Sequence, residues 1–112
     1  MYKLIHNNRC SKSRECKKIL DSREIDYETI EYQKKKLTKN QLLEIINNLE
    51  NSIDQIIRKN EKEYKDNPFS LNNTTELIEL LYNFPNCIQR PIFFNGTTYI
   101  VCRPPDKILS YI

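Results

Sequence analysis

Apolar positions recur along this chain with two different periods, and the switches between them divide it into elements. Tyr2-Lys3-Leu4-Ile5-His6 reads as a short first strand. Cys16, Ile19 and Leu20 then share one stripe of a helix over 12–22. The alternation Asp-Tyr-Glu-Thr-Ile-Glu-Tyr predicts a second strand over 26–32. Strand, helix and strand at this length make a βαβ unit, a parallel pair joined by a right-handed crossover. The period then turns helical for about fifty residues. Thr38 with Gln41 has capping-box spacing ahead of Leu42, Leu43, Ile45, Ile46 and Leu49. Ser52 with Gln55 repeats that spacing ahead of Ile53, Ile56 and Ile57. Asn73 with Glu76 is a third such start, ahead of Leu77, Ile78, Leu80, Leu81 and Phe84, and Pro85 stops the helix. Ile92-Phe93-Phe94 and Thr98-Tyr99-Ile100-Val101 flank Asn95-Gly96, a hairpin signal that uses the chain's single glycine. Arg103-Pro104-Pro105-Asp106 opens a last helix carrying Ile108, Leu109 and Ile112, since proline suits a first helical turn.

The order is therefore βαβ, helices, ββα. An α/β fold with a four-stranded mixed sheet and flanking helices satisfies it. A βαβ half followed by a ββα half is the thioredoxin-like plan, here with a helical insertion between the halves. The 112 residues suffice for one core and one domain, spanning 1–112, with the insertion at about 38–86. No apolar run approaches the roughly 18 residues of a membrane span, so no membrane partner is expected. Met1 to His6 lacks the charged-then-apolar layout of a signal segment, so the expected location is cytoplasmic and the expected state a monomer.

Charge excludes little. Eighteen Lys and Arg against 15 Asp and Glu give +3, but the signs are intermixed, and Lys34-Lys35-Lys36 is the one strong basic run. That run reads as a solvated loop, so no nucleic-acid partner is expected. The cysteines say more. Cys10, Cys16, Cys87 and Cys102 include no Cys-x-x-Cys pair, which argues against a metal site. A disulfide framework does not suit a cytoplasmic chain of this size. What remains is one reactive thiol among bystanders.

The candidate thiol is Cys10, in the basic, hydroxyl-rich turn His6-Asn7-Asn8-Arg9-Cys10-Ser11-Lys12-Ser13-Arg14 between the first strand and the first helix. A thiol at a helix N-terminus meets unpaired N–H groups and the positive end of the helix dipole, which favour the thiolate. Taken alone, the stretch fits equally a small residue in a βα turn. Arg58, Arg90 and Arg103 narrow the substrate. The plan brings the ends of the second half to the sheet edge that carries the β1–α1 turn, and an arginine there is a fixed planar cation suited to an oxyanion. Bringing a thiol down from about 8.5 by about two pKa takes roughly 2.7 kcal/mol. One charge at about 4 Å supplies roughly 4 kcal/mol at an effective dielectric of about 20. One arginine suffices to activate the thiol, and others are free to bind an anion.

Each of these residues also has a plainer reading. The three arginines fit ordinary surface positions. Pro91 fits an edge strand, or a cis proline facing the active cysteine in a thioredoxin-like plan. His6 fits a half-buried strand histidine, or a group tuning Cys10. Ser13 either caps the helix or hydrogen-bonds the thiolate. Cys16, on the apolar stripe, reads as core, and Cys87 and Cys102 read as packing residues.

The run His6 to Arg14 resembles the active-site loop of glutaredoxin-coupled arsenate reductases. The resemblance continues through Leu37-Thr38, Ile57-Arg58-Lys59, Glu61, Tyr64-Lys65, Pro85, Ile88-Gln89-Arg90-Pro91-Ile92 and Cys102-Arg103-Pro104-Pro105 to Ile108-Leu109, nearly the whole chain. It implies a thioredoxin-like fold with an inserted helical region and a single catalytic thiol, Cys10. That thiol attacks arsenate. Glutathione, a cosubstrate rather than a bound cofactor, then attacks the adduct, and glutaredoxin resolves the mixed disulfide as arsenite leaves. The resemblance further implies that Arg58, Arg90 and Arg103 bind the oxyanion, that His6 and Ser13 help hold the thiolate, and that Pro91 is the cis proline. Asn8 stands where many relatives have proline, which removes no chemical group, and plasmid-type members carry a longer tail. Two neighbouring readings share the fold. One is a glutathione-dependent thiol reductase of another substrate. The other is an Spx-type polymerase-binding regulator, a class that typically has Cys-x-x-Cys where this chain has Cys10-Ser11-Lys12-Ser13, and that lacks the Arg-Pro-Pro segment.

Overall fold

The structure is a computed structural model that describes residues 1–66 and 73–112; the stretch of the expected helical insertion at 67–72 lies outside the described residues. Four strands, β1 (Tyr2–His6), β2 (Tyr27–Glu31), β3 (Ile92–Phe94) and β4 (Tyr99–Val101), form one sheet in the order β2-β1-β3-β4. β1 runs parallel to β2 and antiparallel to β3, and β3 is antiparallel to β4. The mixed α/β thioredoxin-like plan is the one the element order predicts.

The period of two along each strand decides what lies on each face. Leu4, Phe93 and Ile100 point to one side, where Cys16 and Leu20 of α1 (Ser11–Ser22) and Ile108 close a fully buried cluster. Ile5, Ile92, Tyr99 and Val101 point to the other. There they meet Leu42 and Ile45 of α2 (Lys39–Asn47) and Leu77, Leu80 and Leu81 of α4 (Thr74–Asn83). A short helix α3 (Lys62–Asp66) lies between them in the chain. Among the described residues no helix is long and apolar enough to cross a membrane.

The starts of α2 and α4 follow their caps. Thr38 and Gln41 form a reciprocal capping box, with bonds of 3.0 and 2.7 Å, and Asn73 Oδ1 accepts from the Glu76 N–H. The Ser52–Gln55 spacing does not act this way. It opens a 3-10 turn, Ile53–Ile56, in which the Gln55 N–H goes to the Ser52 carbonyl and the Ser52 side chain caps nothing. Four residues cannot hold an α-helix between two fixed strand-like contacts, and 3-10 turns are used in such short pieces. The last helix is likewise 3-10, over Pro105–Ser110, with Ile108 buried and Leu109 exposed.

Two backbone seams tie the insertion to the sheet. Glu50 N–H donates to the Tyr99 carbonyl and Tyr99 N–H to the Asn48 carbonyl, both at 2.9 Å, while Asn51 Oδ1 accepts from Val101 N–H. These bonds cover the outer edge of β4. Farther along, Gln89 N–H donates to the Ile56 carbonyl at 2.7 Å and Arg58 N–H to the Cys87 carbonyl at 2.8 Å. The second seam fixes where Arg58 and Arg90 emerge. In the hairpin, Gly96 has φ +107° and Asn95 Oδ1 takes the N–H groups of Thr97 and Thr98.

Phe93 is fully buried under α1, so Phe93→Ala is expected to cost about 3–5 kcal/mol. Loss of the Thr38 cap in Thr38→Ala should cost only about 1 kcal/mol. Urea unfolding midpoints at constant slope check both.

Candidate active site

β1 ends at His6, and the chain turns through Asn7, Asn8 and Arg9 into α1, with Cys10 as the residue that precedes its first turn. Its backbone is extended (φ −95°, ψ 121°), so the side chain stands at the open end of the helix. The thiol is half-buried, and no formal capping bond uses it. Burial works against its ionisation. The N–H of Ser13, the Arg90 guanidinium and the N–H of Lys12 outweigh that penalty and hold the thiol below its ordinary range.

The seat of this loop is a buried polar net. The Ser13 hydroxyl accepts the Asn7 N–H at 3.1 Å and lies 2.6 Å from His6 Nδ1. Asn8 Oδ1, 3.4 Å from Nε2, can only accept, so the proton of the neutral ring sits on Nε2 and Nδ1 accepts from the Ser13 hydroxyl. Burial holds His6 below its usual pKa, against the Asn8 bond, so the ring is neutral near pH 7. The side chain of Asn7 accepts the Arg9 N–H at 2.9 Å and donates to the Tyr32 hydroxyl at 3.3 Å. Of the two groups expected to help hold the thiolate, Ser13 favours it through its backbone N–H, while the Ser13 hydroxyl and the His6 ring bond each other. Asn7 and Tyr32 are positioning residues that the pattern of the sequence did not single out. A buried amide directly after a buried strand is the signal that would have found Asn7.

Two arginines meet the thiol. Arg103 Nη1 is 3.9 Å from Cys10 Sγ and donates to the Arg90 carbonyl at 2.9 Å. Arg90 lies beside the thiol with Nη1 on the carbonyls of Asn86 and Ile88, while its buried Nε has no acceptor among the described residues. Arg58 stands one step away. Its Nε pairs with Glu61 and its Nη1 donates to Gln89, both at 3.2 Å, and with Arg103 it lines a cavity of about 370 Å³. Lys59 and Asn60 line the same cavity. The Arg90–Pro91 and Arg103–Pro104 peptides are both cis, at the entry and exit of the β3–β4 hairpin. The Pro91 carbonyl accepts from Cys102 N–H at 3.0 Å.

The other thiols are buried and free. Cys102 Sγ donates to the Ile100 carbonyl at 3.6 Å, the neighbouring Cys102 thiol together with burial drives Cys16 far above the thiol range, and burial pushes Cys87 up. Among the described residues no cluster of three His, Cys, Asp or Glu side chains offers a metal site.

A model of the ArsC family matches residues 5–111. The chain belongs to the ArsC family. It is 30% identical to an arsenate reductase of Haemophilus influenzae, with 97% of each chain covered. It is also 30% identical to the uncharacterised protein YfgD of Escherichia coli, over 98% of this chain and 95% of that one. The solved arsenate reductase from Vibrio cholerae superposes with a TM-score of 0.87 at 26% identity, covering 99% of this chain and 97% of that one.

The pH dependence of alkylation follows from the thiol's surroundings. As an acid with a lowered pKa, Cys10 keeps its thiolate below the pH at which a free cysteine loses it, so the midpoint of iodoacetamide reactivity is expected below that of free cysteine. Removing a cation that favours the charged form, in Arg90→Ala, should move the midpoint upward, whereas Arg58→Ala should leave it in place.

Proposed function

We propose that this ArsC-family chain reduces arsenate to arsenite, with Cys10 as the single nucleophile and glutathione and glutaredoxin as the external thiols. The observation that carries the reading is the thiol with Arg103 Nη1 3.9 Å from its sulfur and the Arg90 guanidinium beside it. Two guanidinium groups at a thiolate suit an oxyanion, whose central atom they bring to the sulfur. The naming of curated relatives as arsenate reductases agrees.

In the proposed sequence the Cys10 thiolate displaces one oxygen of arsenate, which leaves as water after protonation, and a sulfur–arsenic bond forms. A glutathione thiolate then attacks the Cys10 sulfur. The sulfur–arsenic bond breaks with its electron pair remaining on arsenic, which goes from the +5 to the +3 state and leaves as arsenite. The two sulfurs are oxidised to a mixed disulfide. A glutaredoxin thiolate takes the glutathione sulfur and returns Cys10 as a thiolate. Arg103 and Arg90 balance negative charge at the sulfur throughout, and Arg58, paired with Glu61, lines the adjoining cavity together with the Lys59–Asp54 pair.

The test is arsenate-dependent NADPH consumption with glutathione, glutathione reductase and a glutaredoxin supplied. Cys10→Ser is expected to abolish turnover, and full turnover in that variant would overturn the reading. No turnover by the folded wild type, with Cys10 still readily alkylated, would move the activity to another thiol substrate. Arg58→Ala should lose about tenfold or more in kcat/KM for arsenate without a change in unfolding midpoint, as expected for one charge-assisted contact.

A further inference from the structure

A second cavity, of about 520 Å³, shares no lining residue with the one that Arg58 and Arg103 line. Arg9, Tyr32, Lys36, Glu63, Asn83 and Asn86 line it. Three of them adjoin the surroundings of the nucleophile. Arg9 is the residue before Cys10. The Asn86 carbonyl holds Arg90. The Tyr32 hydroxyl is buried, and the charges of Arg90 and Cys10 act on it in opposite senses. The Arg9 side chain is exposed and has no hydrogen-bond or ion-pair partner among the described residues. Lys36 is also exposed and without an ion pair; its Nζ lies 4.4 Å over the Tyr82 ring, which holds it at the rim.

We infer that this cavity is the docking site of the reducing thiol, and that Arg9 and Lys36 recognise it by its carboxylates. The inference rests on the reading of Cys10 as a nucleophile attacked at sulfur by an external thiol, and it adds where that thiol binds. Displacement at sulfur is in-line, so the entering thiol and the departing group need separate approaches. Each cavity has a lining residue next to the thiol: Arg103, whose Nη1 is 3.9 Å from the sulfur, in one, and Arg9, the residue before Cys10, in the other. The charges fit a thiol peptide of the glutathione kind, which carries two carboxylates and one ammonium. Among the described residues the lining carries two cations, Arg9 and Lys36, and one acid, Glu63, and the two cations face the carboxylates. The volume falls within the range of about 300–1,000 Å³ usual for small-molecule sites.

The test contains no arsenate. Cys10 is converted to its 2-pyridyl mixed disulfide; the other three thiols are buried and stay reduced. A thiolate that attacks the Cys10 sulfur expels 2-thiopyridone with the electron pair of the broken bond, which is read by absorbance. The rate is expected to saturate with glutathione and to rise linearly with neutral 2-mercaptoethanol. Arg9→Glu and Lys36→Glu should each lower the glutathione rate at low concentration by about tenfold, the worth of one charge-assisted contact. Mercaptoethanol, which also attacks as a thiolate but has no carboxylate, should slow by a clearly smaller factor than glutathione. Arg9→Lys should retain most of the glutathione rate, and Lys18→Glu, on the exposed face of α1, should change neither. Equal slowing of both thiols in the variants, or an unsaturated glutathione rate indifferent to both charges, would overturn the inference. A protein that passes this test and fails to turn over arsenate would lose its substrate assignment and keep this site.

Discussion

The site depends on one bridge. Arg103 leaves the end of β4, donates to the Arg90 carbonyl at the start of β3, and brings the same nitrogen to the Cys10 sulfur. A guanidinium is a rigid fork, so a group held at one nitrogen is aimed at the others. The two ends of the hairpin and the β1–α1 turn are thereby joined by a single side chain. The hairpin itself is short and sits in the middle of the sheet's hydrogen bonding, with β1 on one side and the 48–51 segment on the other. Its ends have little freedom, and the two arginines that flank it share that restraint.

Beneath the thiol the chain places polar groups where a core would ordinarily be apolar. His6, Asn7 and Ser13 are all buried. Each finds a partner in the others, in Asn8 or in Tyr32, so the desolvation of these groups is matched by hydrogen bonds made inside a low-dielectric environment. A neutral imidazole in this position adds no charge near the sulfur. The positive potential at Cys10 comes instead from the helix end and from Arg90, and the net below serves to hold the loop's shape. The division has a consequence for chemistry: the groups that set the thiol's reactivity are those able to face a bound anion, and the groups that set its position are kept out of water.

The insertion has a similar double role. Its apolar faces close one side of the sheet, through Leu42, Ile45, Leu77 and Leu81. Its irregular parts, the 48–51 segment and the run from Ile56 to Arg58, pair with the edge of β4 and with the approach to β3. Arg58 reaches the site because its N–H is fixed to the Cys87 carbonyl, not because a regular helix points it there. Glu61 and Gln89 then set its side chain.

The sequence by itself determined the elements whose apolar period is clear and whose ends carry side-chain caps. β1, α1, β2, α2, α4 and the hairpin fall where alternation, heptad-like spacing, Thr38, Asn73 and Asn95-Gly96 put them, because these signals are local and need no knowledge of what packs against them. It also singled out Cys10 at a strand-to-helix junction, where helix-end physics acts whatever the rest of the fold does. Tertiary structure decided the rest. Ser52–Gln55 has the spacing of a cap and becomes a 3-10 turn, since backbone bonds on both sides leave it no room for α-helical turns. The Ser13 hydroxyl and His6 turn toward each other, since the buried Asn7 N–H needs an acceptor that no local pattern reveals, and Ser13 meets the thiol with its backbone N–H alone. Arg103 lies 93 residues from Cys10 in the chain and touches it, while Arg58 stands back against Glu61 and Gln89. Which cation meets a nucleophile is a question of distances across the sheet, and spacing along a chain does not contain them.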